Sequence, residues 1–154
     1  MNFNDAISLA KALMAEHNVN IPLVISRGKI QMGYAKWKRD AFGVLHPAKL
    51  GLSHYLIEMN DEPLVRNTIL HEIAHIKCGN AAGHNYFWQS TARAIGCTGE
   101  RCVSNTANFV KGSWVGVCPN CGKEYSKYRG GKRVVNGTWR CRCGGMFKYE
   151  YKGY

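Results

Sequence analysis

The chain has 154 residues, 45% apolar and 20% charged, which is the balance of a globular protein with one ordinary domain and a small appendage. No apolar run approaches the roughly 20 residues of a membrane span, and the N-terminal residues lack the features of a secretory signal. We therefore expect a cytoplasmic protein with no membrane partner. Its seven cysteines are then expected to be metal ligands or free thiols rather than disulfides.

The net charge of +11 is unevenly distributed along the chain. Residues 1–110 carry 11 Lys and Arg against 8 Asp and Glu, whereas residues 111–154 carry 10 against 2. Either this excess only solvates the surface, or it marks a module that binds a polyanion, with nucleic acid as the first candidate. The change in charge, together with a cysteine pair that follows it, predicts two domains, residues 1–110 and 111–154.

The first 60 residues predict a helix followed by a small sheet. The helix is expected to begin after Asn4, which suits an N-cap, and to end near His17. Short apolar runs at 23–25, 34–37 and 50–59, separated by glycines and charged turns, predict three strands of a small antiparallel sheet.

A second and stronger helix signal follows the sheet. Asn60 or Asp61 can cap this helix, Pro63 fits its first turn, and Gly79 can end it. Apolar residues cover a broad face between these ends, which predicts a helix buried at the centre of the domain. A third helix is expected from about 85 to 95, ending at Gly96.

The central helix carries the sequence His-Glu-Ile-Ala-His at positions 71–75, an H-E-x-x-H motif. Residues i and i+4 share one helix face, so His71 and His75 can both bind one zinc ion. Glu72 is rotated away from that line and can act on a zinc-bound water, whose pKa falls towards about 7. This pattern predicts peptide-bond hydrolysis with Glu72 as the general base.

Such a site needs a third protein ligand. Ala81 stands where the metzincin pattern has a histidine, and Glu100 is the only acidic residue between Glu72 and the cysteine pair. His84 is better placed, because Gly79 breaks the helix and the next four residues allow the chain to turn back. We therefore predict His71, His75 and His84 as ligands of a catalytic zinc.

The C-terminal region contains two closely spaced cysteine pairs, Cys118 with Cys121 and Cys141 with Cys143. Four thiolates suit a tetrahedral structural zinc, so this region is predicted to be a small β zinc ribbon. The second pair has C-x-C spacing where most ribbons have C-x-x-C. For Cys97 and Cys102 a disulfide, a further metal contact and free thiols all remain open, and the reducing compartment favours free thiols.

Basic and aromatic residues alternate around the cysteine pairs. Cations neutralise phosphates and aromatic faces stack on unpaired bases, a combination that favours single-stranded or distorted DNA. Alternatively, the aromatic residues form the core of the ribbon and the charges only solubilise it. The candidate nucleic-acid-binding residues are Lys123, Lys127, Arg129, Lys132, Arg133, Trp139, Arg140 and Arg142.

The motif at 71–75, followed after a short gap by Gly-His-Asn-Tyr-Phe-Trp at 83–88, resembles the SprT-like (Spartan-related) metallopeptidase domain. Residues 95–102 followed by a ribbon are similar to small SprT-like proteins of phages and bacteria. The resemblance implies an α+β fold: a zincin-like metallopeptidase domain with a helix, a small sheet, the central HExxH helix and a following helix, plus the ribbon.

Members of the Spartan type cleave proteins crosslinked to DNA, so the resemblance implies a zinc endopeptidase acting on DNA-bound proteins. We expect one catalytic and one structural zinc, a monomer, and a nucleoid-associated location, in the host cytoplasm if phage-encoded. The alternative is a non-proteolytic DNA-binding accessory protein with two structural zinc sites. Glu72 discriminates, because a purely structural site needs no carboxylate beside its ligands.

Overall fold

The computed structural model describes residues 1–101 and 107–153, and the chain divides into two units, Met1–Phe109 and Val110–Tyr154. The first unit begins with α1 (Phe3–Glu16). Its N-cap is Asn2, whose side-chain oxygen accepts the amide N–H of Asn4 at 2.9 Å. The sequence placed this cap at Asn4, but Asn4 already lies in the first turn. No helix in the described part of the chain is long and apolar enough to cross a membrane.

The sheet of the first unit has three strands, β1 (Leu23–Ser26), β2 (Gly33–Arg39) and β3 (Leu45–Ser53), in the order β1-β3-β2. The antiparallel pairing that the sequence predicted holds for β2 with β3. In contrast, β1 runs parallel to β3. The chain therefore crosses from β1 to the far edge before it returns through the middle of the sheet, an order that alternation along each strand does not reveal.

The third predicted strand is too long at its C-terminal end. β3 stops at Ser53, and residues His54–Met59 form a short helix, α2. The apolar residues Leu56 and Ile57 are adjacent in sequence and both buried, which a half-buried strand does not allow. A contact between the His54 Nε2 atom and the Glu58 carboxylate at 2.9 Å links positions i and i+4 of the helix.

The long helix α3 (Glu62–Cys78) lies in the core of the first unit, as its broad apolar face predicted. Asp61 caps it by accepting the amide N–H of Leu64, and Gly79 ends it with a φ of 85°. A 3₁₀ turn (Asn80–Ala82) and α4 (Tyr86–Ala94), capped by Asn85, follow. The buried side chains of α3 are Val65, Thr68, Ile69, Leu70, Glu72, Ile73 and Ala74.

The second unit consists of short strands and one helical turn: β4 (Trp114–Val117), β5 (Glu124–Lys127), α5 (Lys132–Asn136), β6 (Trp139–Arg140), β7 (Met146–Phe147) and β8 (Glu150–Tyr151). The strands form a sheet of order β5-β4-β8 and a β6-β7 ladder. Its small core contains Cys118, Val134, Cys141, Phe147 and Tyr149. With so few apolar residues to bury, this unit needs a further source of stability.

Candidate metal centres

Three imidazole groups converge beside the C-terminal half of helix α3. The Nε2 atom of His75 lies 3.2 Å from that of His71 and 3.1 Å from that of His84, and the Nε2 atoms of His71 and His84 are 3.1 Å apart. The first two histidines meet because they are one helical turn apart. The third reaches them because Gly79 and then Gly83, with φ values of 85° and 54°, turn the chain back onto the helix.

The size of this triangle fits a zinc ion. Three nitrogens bound tetrahedrally at about 2.0–2.1 Å from one zinc would lie roughly 3.3 Å from each other, close to the observed separations. All three ring nitrogens point at one another, which neutral imidazoles can satisfy only in part because each Nε2 atom either donates or accepts. The donor set and its spacing are therefore those of a metal site.

The protonation states agree with metal binding. Burial first, and then the neighbouring charges of His75 and His84, lower the pKa of His71 to about 4. Burial and the charge of His84 also lower the pKa of His75 to about 4. Imidazoles that stay neutral near pH 7 offer their lone pairs to a cation without first releasing a proton.

Glu72 lies beside this triangle, between α3 and strand β2. Its side chain is buried, and the backbone N–H of Ala35 donates a hydrogen bond to its carboxylate. Burial raises the pKa of Glu72 to about 7, against the smaller opposing effect of that hydrogen bond. Gly33 lets the strand approach, because a Cβ atom there would lie 3.0 Å from the Cγ atom of Glu72.

Two adjoining clefts share Glu72, His71, Gln31 and Gly33 in their walls. One has a volume of about 370 Å³ and is also lined by Thr68. The other has a volume of about 340 Å³ and also contains the remaining two histidines. Glu72 and His71 thus line both clefts, whereas His75 and His84 line only the second. Tyr86, two residues after His84 in the sequence, is 83% exposed.

Trp88 was not singled out by sequence reasoning as a part of the site. Its indole is fully buried and contacts all three imidazole rings, with ring centroids 4.7 Å from His71, 5.1 Å from His75 and 4.5 Å from His84. Asn85, which accepts the amide N–H of Trp88, starts α4 at the register that points this ring inwards. The Gly-His-Asn-Tyr-Phe-Trp stretch contains this tryptophan, but the sequence alone does not show that its ring packs against the three histidines.

The four ribbon cysteines form a second cluster. The Sγ atoms of Cys118 and Cys143 are 3.5 Å apart and those of Cys121 and Cys141 are 3.6 Å apart, with all four ligand atoms within 4.8 Å. Sulfur atoms at about 2.3 Å from one tetrahedral zinc would be separated by roughly 3.8 Å. The C-x-C pair therefore converges with the C-x-x-C pair despite its shorter spacing.

Two features explain how the shorter pair reaches the cluster. The amide N–H of Cys141 donates to the carbonyl oxygen of Gly145, which closes a tight turn around the second pair. A Cβ atom on Gly145 would lie 2.6 Å from the Sγ atom of Cys118, so this position requires glycine. A hydrogen bond with the Tyr125 hydroxyl, 3.1 Å from Sγ, is the main cause that lowers the pKa of Cys141 to about 6.

The ribbon's aromatic residues separate into two groups. Phe147 and Tyr149 are buried in the ribbon core, and Tyr125 and Trp139 are partly buried against it. The rings of Tyr125 and Phe147 stack with centroids 4.8 Å apart, and those of Trp139 and Tyr149 lie 5.5 Å apart. The core-forming alternative therefore applies to these four residues. Trp139 is half-buried and Tyr151 is 65% exposed.

The candidate nucleic-acid-binding residues lie at the ribbon surface. Trp139 has the Arg133 guanidinium 4.9 Å and the Lys127 ammonium 5.6 Å from its ring centroid, so three of the candidates form one cluster. Lys123 lies over the ring of Tyr125 at 5.6 Å. The remaining candidates, all exposed, are Arg129, Lys132, Arg140 and Arg142.

The remaining cysteines take no part in either cluster within the described residues. Cys97 is buried and its thiol lies 3.8 Å from the carbonyl oxygen of Asn67, and burial raises its pKa. Cys78 is half-buried at the end of α3. Cys102, for which a disulfide with Cys97 remained open, lies outside the described residues.

An α+β domain with a HExxH helix, a His₃ donor set and an adjacent buried carboxylate is a zincin-like metallopeptidase. The SprT-like family matches residues 4–108, about two thirds of the chain, and the chain belongs to that family. It is therefore a zinc metallopeptidase, and the non-proteolytic alternative is not retained.

One solved structure, the metallopeptidase zymogen jannalysin of Methanocaldococcus jannaschii, is similar to the chain. The two sequences are 22% identical, and the match covers 58% of this chain and 79% of the jannalysin chain, with a TM-score of 0.44. No curated protein matches the chain.

Proposed function

We propose that this protein is an endopeptidase that hydrolyses proteins bound or crosslinked to DNA, with one catalytic and one structural zinc. The observation that carries the proposal is the arrangement of His71, His75 and His84 around one point with Glu72 beside them. In the proposal these three residues hold the catalytic ion. Cys118, Cys121, Cys141 and Cys143 hold the structural one.

Glu72 is proposed as the general base. A zinc ion bound to the three histidines would polarise the substrate carbonyl and lower the pKa of the attacking water. Glu72 takes up the proton of that water and passes it to the nitrogen of the leaving amine, so the carboxylate is regenerated in each cycle.

The two adjoining clefts that share Glu72 favour cleavage within a chain rather than at its end. A peptide whose scissile bond lies at Glu72 has both clefts, of about 370 Å³ and about 340 Å³, available to its flanking residues. An exopeptidase closes one side of its groove in order to bind a terminal charge. Here, both clefts are lined by several residues other than Glu72 and the three histidines.

The proposed DNA-binding role of the second unit is supported by its charge and by one cluster. Lys127 and Arg133 lie against Trp139, so a phosphate and an unpaired base could be contacted at one place. Arg133 also fixes the indole through its carbonyl oxygen, which accepts the Trp139 Nε1–H at 3.3 Å. Single-stranded or distorted DNA offers such exposed bases, whereas an intact duplex does not.

The role of Glu72 as the general base is tested with the Glu72→Gln variant of the full chain. The variant should keep its zinc content and its thermal unfolding, and should lose cleavage of a DNA-crosslinked protein by a factor of about 10² to 10⁴. Glu16→Gln, a matched change on an exposed position of α1, should cleave normally. Undiminished cleavage by Glu72→Gln would sink the mechanism.

Dependence on DNA is tested with one protein substrate presented free and crosslinked to a single strand. We expect the crosslinked form to be cleaved faster, and Lys127→Gln to reduce that advantage, whereas Lys148→Gln, also an exposed lysine of the ribbon, should not. Equal rates on the free and crosslinked substrates would contradict the proposed substrate class.

A further inference from the structure

Strands β2 and β3 form a hairpin whose solvent-facing side carries three lysines. Gly33 and Ala35 of β2 face α3, since they pair with the buried residues Leu52 and Leu50 of β3. Side chains alternate along a strand, so Lys36 points to the opposite side. Lys38 follows a register shift between Lys36 and Trp37 and is exposed as well. Lys49 of β3 is on that side too, because it pairs directly with Lys36.

The pairing of Lys36 with Lys49 is unfavourable in the isolated protein. Like charges directly opposite each other on antiparallel strands repel, because their Cβ atoms are only about 5 Å apart. Among the described residues, no carboxylate forms an ion pair with Lys36, Lys38 or Lys49. Lys36 instead lies 5.4 Å from the ring centroid of Tyr34 on the same side. A polyanion would relieve this repulsion.

At the tip of the same hairpin, the side chain of a phenylalanine is exposed to solvent. Phe42 is 94% exposed, the most exposed of the large apolar side chains in the described part of the chain. The turn that presents it is braced by several hydrogen bonds. Asp40 accepts the amide N–H groups of Phe42 and Val44, both at 2.9 Å, and Arg39 donates to the carbonyl oxygen of Gly43 at 2.7 Å.

The bracing distinguishes Phe42 from an aromatic residue on a loose loop. His46 adds a further contact to the Asp40 carboxylate at 2.8 Å, so the turn is tied to both strands. Gly43 supplies the φ of 83° that the turn requires. The ring is therefore held away from the core of its own unit and is available to stack on a flat partner without ordering the backbone first.

We propose that the β2–β3 hairpin is a second nucleic-acid-binding surface, on which Lys36, Lys38 and Lys49 contact the phosphates of a single strand and Phe42 stacks on an unpaired base. A row of cations beside an aromatic platform is what such strands require. This inference rests on the proposed function, which already makes DNA a partner, and it adds a contact on the peptidase unit itself.

The position of the hairpin connects DNA binding to proteolysis. Ala35 and Trp37 of β2 line the cleft next to the catalytic residues, and Lys36 and Lys38 alternate with them along the same strand. Adjacent strand residues are about 3.3 Å apart. A DNA strand held on the hairpin would therefore run close behind the substrate cleft, where a protein attached to that DNA could enter it.

The test uses the full zinc-loaded chain and a fluorescein-labelled oligothymidine, with affinity measured by anisotropy over a range of salt concentrations. Lys36→Gln/Lys49→Gln removes two phosphate contacts, so the slope of log K against log salt should fall by about 1.4, at about 0.7 per contact. The matched control Lys11→Gln/Lys77→Gln changes two exposed lysines on helices α1 and α3 and should leave the slope unchanged.

Stacking is tested separately from charge. Phe42→Ala should weaken oligothymidine binding between about fivefold and a hundredfold, the usual loss of one stacked base, and Phe42→Trp should restore it. Neither change should affect the binding of polyglutamate, which has charges but no bases. Circular dichroism and zinc content show that each variant is folded.

The outcomes separate the hairpin from the ribbon. If the wild-type chain does not bind the oligonucleotide, both this inference and the proposed DNA partner are wrong. If Lys127→Gln weakens binding while the hairpin variants match their controls, the inference is overturned and the proposed function stands. If the lysine variant loses affinity but Phe42→Ala does not, the hairpin only attracts polyanions and the base-stacking role is wrong.

Discussion

Substitution of Trp88 can show whether the packing of its ring orients the three histidines. In most zinc sites the second ring nitrogen of each histidine donates to a carboxylate or carbonyl group. Among the described residues, no such hydrogen bond from an Nδ1 atom is present, and the Trp88 ring contacts all three imidazoles instead. We therefore expect Trp88→Phe to weaken zinc binding at the histidine site.

The magnitude follows from what the change removes. A benzene ring is smaller than an indole by roughly 40 Å³, which at about 24 cal/mol per Å³ of cavity costs about 1 kcal/mol of stability. The buried Trp88 Nε1–H has no hydrogen-bond partner among the described residues, so its removal offsets that cost. The free energy of unfolding should therefore change little, while zinc affinity should fall about 10- to 100-fold, as for other groups that orient metal ligands.

The assay is competition for zinc with a chromophoric chelator, in which the cysteine cluster of the same chain serves as an internal reference. Trp88→Leu, which removes the ring altogether, should weaken the histidine site further than Trp88→Phe. Phe87→Leu alters the neighbouring exposed ring and should leave zinc affinity unchanged. Wild-type affinity in both Trp88 variants would refute the view that packing orients the ligands.

Two glycines give further predictions. Gly145→Ala should release zinc from the ribbon and lower its unfolding temperature, because the new Cβ would lie 2.6 Å from the Cys118 Sγ. The control Gly131→Ala, where a Cβ would have nothing within 4 Å, should do neither. Zinc content and calorimetry of the two variants test this prediction. Gly33→Ala should push the Glu72 carboxylate from its position and lower kcat at least tenfold with zinc content unchanged; an unaltered kcat would show that the strand does not position Glu72.

Local patterns in the sequence were enough to predict the core of the site. The spacing of His71 and His75 fixes their shared helix face, and caps at Asp61 and Asn85 mark where the helices α3 and α4 begin. His84 could be proposed because the intervening segment is short and contains a glycine after the helix. Each of these features depends on residues within a few turns of each other.

Features that depend on distant contacts were not predictable in the same way. The parallel pairing of β1 with β3 depends on which strand edge is free, and no pattern within β1 states it. The contact of Gly33 with Glu72 joins a strand and a helix about 40 residues apart in sequence. Residues 54–59 looked like the continuation of a strand, because a short apolar run fits either a strand or a buried helical turn.

The turn at Gly79 has a consequence for the order of events in folding. All three histidines lie within residues 71–84, so the site is assembled by closing one short loop next to a helix. Short loops close at small entropic cost and quickly, well before β1 and β3 must find each other across the sheet. A cation captured at this stage would tie α3 to the start of α4 and fix that corner of the molecule while the rest of the chain is still collapsing onto it.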